Sequence, residues 1–150
     1  QSTLSQVEIR AMQSKDIDGD SVKHVTSILL QVLQDDNFDV SNLDSDVGYF
    51  QANKKLDGGK EKYKFAWYDI YYPIAIYKYA TLSNYVKEIK ATVSVRKLGR
   101  DKLSVRVSFN VDIKDNDGKL ISSNIIEDQK FYQEFFAKLD KAIFLEKNNL

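Results

Sequence analysis

A chain of 150 residues fits a single domain, long enough to bury roughly 68–70% of its unfolded surface, and its 22 basic and 22 acidic side chains cancel. Neutrality removes the general electrostatic drive toward nucleic acid, whose binding rests mainly on phosphate neutralisation. The lack of cysteine excludes disulfides, thiolate nucleophiles, iron–sulfur clusters and thiolate zinc sites, and no apolar run approaches the roughly 20 residues of a membrane-spanning helix.

In chain order, Val7, Ile9 and Ala11 alternate with Glu8, Arg10 and Met12, which predicts a first strand. A turn is expected over Asp16-Ile17-Asp18-Gly19-Asp20, with Asp20 or Ser21 as a helix cap. Val22, Val25, Ile28, Leu29, Val32 and Leu33 recur at helical spacing and form one apolar stripe, which Asp35-Asp36-Asn37 stops. Phe38 and Val40 open a short strand, and Val47 to Ala52 reads as another. Lys54 to Lys64, holding Asp57-Gly58-Gly59, reads as a solvated turn or loop.

From Lys87 the pattern sharpens. Ile89, Ala91, Val93 and Val95 alternate with polar neighbours. After a turn at Leu98-Gly99-Arg100-Asp101, so do Leu103, Val105, Val107, Phe109, Val111 and Ile113. Asp115-Asn116-Asp117-Gly118 predicts a hairpin turn, and Leu120 to Ile126 a returning strand. Asp128 is a suitable cap for a last helix whose stripe is Phe131, Phe135, Leu139 and Ala142. The expected class is α+β: an antiparallel sheet with one helix from the N-terminal half and a C-terminal helix packed on one face. Residues 1–150 read as a single domain.

The stretch from Tyr63 to Tyr85 stands apart. It holds Tyr63, Phe65, Trp67, Tyr68, Tyr71, Tyr72, Tyr77, Tyr79 and Tyr85, half of the chain's aromatic side chains, together with Pro73, its one proline. Pro73 argues against a continuous helix or a central strand. If the backbone there is extended, adjacent Tyr71 and Tyr72 cannot both point inward, and at least one ring is offered to solvent. Rigid aromatics anchor interfaces at low entropic cost. Trp67, Tyr68, Tyr71 and Tyr72 are therefore the candidate partner-binding residues, with core-covering packing as the plainer account of the same segment.

Other candidate sites have bland explanations. Counting a calcium loop from Asp16 puts Ser21 at the sixth position and Ser27 at the twelfth, where glycine and a bidentate glutamate belong. His24, the sole histidine, has no cysteine to join it at a metal. Gly58-Gly59-Lys60 lacks the spacing of a phosphate loop. No catalytic set assembles, and no metal or cofactor is implied.

Arg10-Ala11-Met12-Gln13, Leu33-Gln34-Asp35, Phe38-Asp39-Val40 with Asp46-Val47-Gly48, the run Asp128 to Leu139, and Phe144-Leu145-Glu146 together resemble small lipoproteins of the Gram-negative cell envelope. Most of that family has no assigned biochemical activity, and the aromatic middle carries no part of the likeness. The resemblance implies an outer-membrane lipoprotein on its periplasmic side or at the cell surface. Gln1 would then follow a lipid-bearing cysteine, and residues 1–6 would act as a tether. The expected function is non-catalytic binding of another macromolecule, in adhesion or as an accessory to a periplasmic assembly. The alternative is a carrier of a small apolar or lipid-like ligand in an aromatic-lined cavity.

Overall fold

Alternation along a strand sends every second side chain to the same side, and the run from Leu103 to Ile113 is the axis on which the molecule is built. The computed structural model describes residues 4–56 and 85–148. Over them the elements are α1 (Gln6–Met12), β1 (Ser14–Asp18), α2 (Val22–Asp35), β2 (Asp39–Asp44), β3 (Tyr49–Leu56), β4 (Tyr85–Lys97), β5 (Lys102–Asp115), β6 (Leu120–Ile125) and α3 (Gln129–Lys147). The class is α+β. The six strands form one antiparallel sheet in the order β1-β5-β4-β3-β2, with β6 also on β5.

Leu103, Val105, Val107, Phe109, Val111 and Ile113 of β5 are all buried, as are Ile89, Ala91, Val93 and Val95 of β4 and Phe50, Ala52 and Leu56 of β3. Onto this face α2 lays Val25, Ile28, Leu29, Val32 and Leu33, and α3 lays Phe131, Tyr132, Phe135, Phe136 and Leu139. Phe109 is the centre, with ring centroids 5.0 Å from Phe131, 5.2 Å from Phe135, 5.8 Å from Tyr132 and 6.4 Å from Phe38. These edge-on and tilted contacts suit the aromatic quadrupole.

Both long helices start where their capping residues dictate. Ser21 accepts the His24 N–H at 3.1 Å, and Asp128 accepts that of Lys130 at 2.9 Å. The predicted stop after Asp35 holds. Asn37 takes a left-handed φ of 69° and the Phe38 N–H reaches back to the Leu33 carbonyl at 3.0 Å, returning the buried Phe38 to the core.

One edge of β5 is shared end to end by β1, on residues 102–106, and β6, on residues 110–114. Between them the ladder is completed by other groups. The Val107 N–H donates to the Gln13 carbonyl at 2.9 Å, and the Phe109 N–H donates to the Tyr132 hydroxyl at 3.2 Å. That hydroxyl donates in turn to the Ile126 carbonyl at 2.7 Å and accepts from Gln13 Nε2 at 3.2 Å. A single fully buried side chain of α3 thus satisfies three groups from three segments, which fixes the helix against the sheet edge.

Three local expectations are corrected. The strand expected over Val7 to Ala11 is helix α1. Ser5 and Glu8 form a reciprocal capping box, with the Glu8 N–H on Ser5 Oγ at 3.2 Å and the Ser5 N–H on Glu8 Oε1 at 3.0 Å. Within that helix Ile9 alone is buried, so the short alternation had no second buried position to enforce it. The acidic stretch Asp16 to Asp18 is part of strand β1, with Ile17 buried against β5, and only Gly19 and Asp20 turn. Lys54 to Leu56, expected in a loop, continues β3 and pairs with Lys87 to Ile89.

Candidate functional site

Phe50, Ala52 and Leu56 face the core, so the intervening Lys54 must face it too. Lys87 likewise precedes Ile89 on the core side of β4. Both are buried, at 7% and 5% exposure, and the carboxylate of Asp36 at the end of α2 is buried at 4%. Lys138 of α3 reaches Asp36 Oδ2 at 3.4 Å, and Lys54 Nζ stands 5.9 Å from the centroid of the Phe38 ring. Lys54, Lys138, Asp36 and the Phe38 ring thus gather at one end of the helix–sheet interface, with Lys87 buried two residues along β4 from the partner of Lys54.

Removal from water governs this cluster more than attraction does. Burial raises the Asp36 carboxyl above its ordinary value, against the opposing pull of Lys138 and Lys54. Burial lowers Lys138 despite Asp36 and Glu134, and it lowers Lys87. Buried ion pairs often return less Coulomb energy than desolvation removes. The sign for stability follows. A carboxyl whose folded-state value lies above its unfolded one favours the fold when protonated, and that contribution is lost as pH rises through the folded-state value. Wild type should therefore gain stability relative to Asp36→Asn as pH falls from about 7 toward about 4. Paired chemical denaturation at each pH checks this; a difference moving the opposite way would refute it.

The cluster sits where β3 ends and β4 begins, since Leu56 pairs with Lys87. The chain from 57 to 84 therefore leaves and returns at adjacent, hydrogen-bonded strand ends. Trp67, Tyr68, Tyr71 and Tyr72, and the Gly58-Gly59-Lys60 turn, lie outside the described residues. The sequence reading missed Lys54 and Lys87. Carrying the two-residue period through the lysines, instead of stopping at the first of them, is the signal that finds them.

The other face of the sheet is polar. Gln51, Thr92 and Ser108 form one row across β3, β4 and β5, and Asn53, Lys90 and Asn110 form the next. Glu88 and Asp112 follow; Lys114 holds Glu88 at 3.1 Å and the Ser123 hydroxyl donates to Asp112 at 2.6 Å. Hydroxyls, amides and charged groups alternate at these positions.

The remaining candidates have structural roles. His24 is exposed on α2, with Nε2 2.5 Å from Glu146 Oε1 of α3. Asp18 pairs with Lys102 at 3.2 Å, and the Gly19 N–H donates to the Asp101 carbonyl at 3.0 Å. Asp115 Oδ1 accepts the N–H groups of Asp117 and Lys119, which builds the predicted hairpin tip with Gly118 at φ 86°. Among the described residues no group of three or more His, Asp or Glu side chains is arranged to hold a metal ion. No helix among them is long and apolar enough to cross a membrane. No family model matches this chain, and comparison with curated proteins finds no match.

Proposed function

We propose that this domain is a non-catalytic binding module of the cell envelope, tethered by an N-terminal lipid, that grips another macromolecule through Trp67, Tyr68, Tyr71 and Tyr72. The observation that carries the reading is the pairing of Leu56 with Lys87. It sets residues 57–84, which carry all four of these side chains, between the paired ends of two strands in the chain order. Half of the chain's aromatics lie between Tyr63 and Tyr85, and rigid aromatics anchor interfaces at low entropic cost.

The filled helix–sheet interface favours surface binding over an internal carrier. Leu29, Leu33, Phe50, Phe109, Phe131, Tyr132 and Phe135 are all fully buried there, which leaves an apolar ligand little room among the described residues. The test is capture of the partner from envelope extracts by the wild-type chain and by the double variant Tyr71→Ala/Tyr72→Ala. The variant should lose the captured protein while its circular dichroism is unchanged; equal recovery by a folded variant sinks the proposal. Mass analysis of the native protein tests the anchor separately, through an acylated cysteine immediately before Gln1.

A further inference from the structure

We infer that the cleft between α2 and the β2–β3 turn binds a small anionic amphiphile, a monocarboxylate bearing a short aliphatic chain. The cleft measures about 460 Å³, a size typical of small-ligand sites. Leu30 of α2 and Leu43 of β2 are its apolar walls, Ser27 and Ser45 bring hydroxyls, and Lys23 brings a cation. Leu43 is 50% exposed, so core packing does not account for an apolar side chain there.

Thr26 points to a ligand independently of the shape. It lines the cleft, is fully buried, and its Oγ1 has no hydrogen-bond partner. Valine has the same shape without a hydroxyl that goes unsatisfied, so packing alone favours valine at this position.

Charge selects an anion. Among the described residues the cleft wall carries Lys23 and His24 and no carboxylate, in a chain with as many acids as bases. His24 is held by Glu146, which leaves Lys23 to meet a single negative charge. Asp44, next to Leu43, directs Oδ1 into its own turn, where it accepts the Val47 N–H at 3.2 Å. The opening turn of α2 adds the positive end of its dipole. The two leucines require an aliphatic chain behind the headgroup. None of the side chains invoked here is among Trp67, Tyr68, Tyr71 and Tyr72, so this site and the partner surface proposed above are tested by different variants.

The test is a titration of the full-length, isotope-labelled chain with octanoate, followed by amide chemical shifts. Saturable shifts are expected in residues 21–30 and 43–45. Octanol, which has the same chain and no charge, should bind about tenfold more weakly. Leu43→Asp, a change at an exposed position, should abolish the shifts without unfolding the protein. Thr26→Val should weaken octanoate about fivefold while raising the melting temperature of the free protein, a pair of effects that a purely structural threonine would not produce. Three results overturn the inference: no saturable shifts at millimolar octanoate, shifts that persist in Leu43→Asp, or equal binding of octanol.

Discussion

Phe109→Ala should lower the unfolding free energy by about 3–5 kcal/mol, the usual range for removing a fully buried phenylalanine. The large end of that range applies because the surroundings cannot close over the gap. Phe109 stands on β5, an interior strand held by β4 along one edge and by β1 and β6 along the other, and among the described residues its ring meets four others, three from α3 and Phe38 from the turn after α2. Each of those rings is fixed by its own neighbours: Tyr132, for one, is held by the hydrogen bonds of its hydroxyl. The cavity therefore persists and its cost is retained. Urea denaturation with an unchanged slope reads the effect directly. A loss under about 1 kcal/mol would mean that the ring cluster yields easily and is not the centre of the core.

Gly48→Ala should be the second most damaging single change, on the order of 3 kcal/mol, because two separate penalties coincide. Gly48 has φ 87°, where a side chain is strained whatever the space. A methyl group there would also stand 2.4 Å from the Val95 carbonyl oxygen and 2.6 Å from Val22 Cγ1. Neither neighbour can move cheaply. Val95 belongs to β4 and its N–H already takes the Gly48 carbonyl at 2.7 Å, while Val22 is the first residue of α2. The turn therefore welds the start of α2 to the sheet. Gly118 offers a control: its φ is similar at 86°, but open space surrounds its Cβ position. Gly118→Ala should show the conformational penalty alone, so its loss should be clearly the smaller in parallel thermal melts. Equal losses at the two glycines would remove the steric part of the argument.

Much of the architecture was legible because alternation and helical spacing persist over long runs. Leu103 to Ile113 holds one face for six consecutive turns of the pleat, and no other register buries all of those side chains. The same holds for the stripe of α2, whose length lets the 3.6-residue period outvote any accidental match. Short segments failed for the complementary reason. Between Val7 and Ala11 the alternating pattern was too brief to decide, and the capping box of Ser5 and Glu8 settled the matter locally. Asp16 to Asp18 looks like a turn until β5 supplies the ladder that pairs it, because strand formation depends on a partner distant in sequence.

The candidate site divides in the same way. Sequence drew attention to Trp67, Tyr68, Tyr71 and Tyr72 through density of rings alone, which needs no coordinates. It gave no hint of Thr26, whose unpaired hydroxyl exists only relative to a cleft wall built from β2 and α2. Nor did it reveal that Lys54, Asp36 and Lys138 come together, since they arise from β3, the end of α2 and α3. What the chain determined by itself is the long elements α2, β4, β5 and α3 and the face that each one buries, because periodic burial is a property of neighbours along the backbone. Which polar groups meet away from water was decided only by tertiary structure. Desolvation and hydrogen bonding depend on distances between segments, and those distances come into being when the sheet closes beneath its helices.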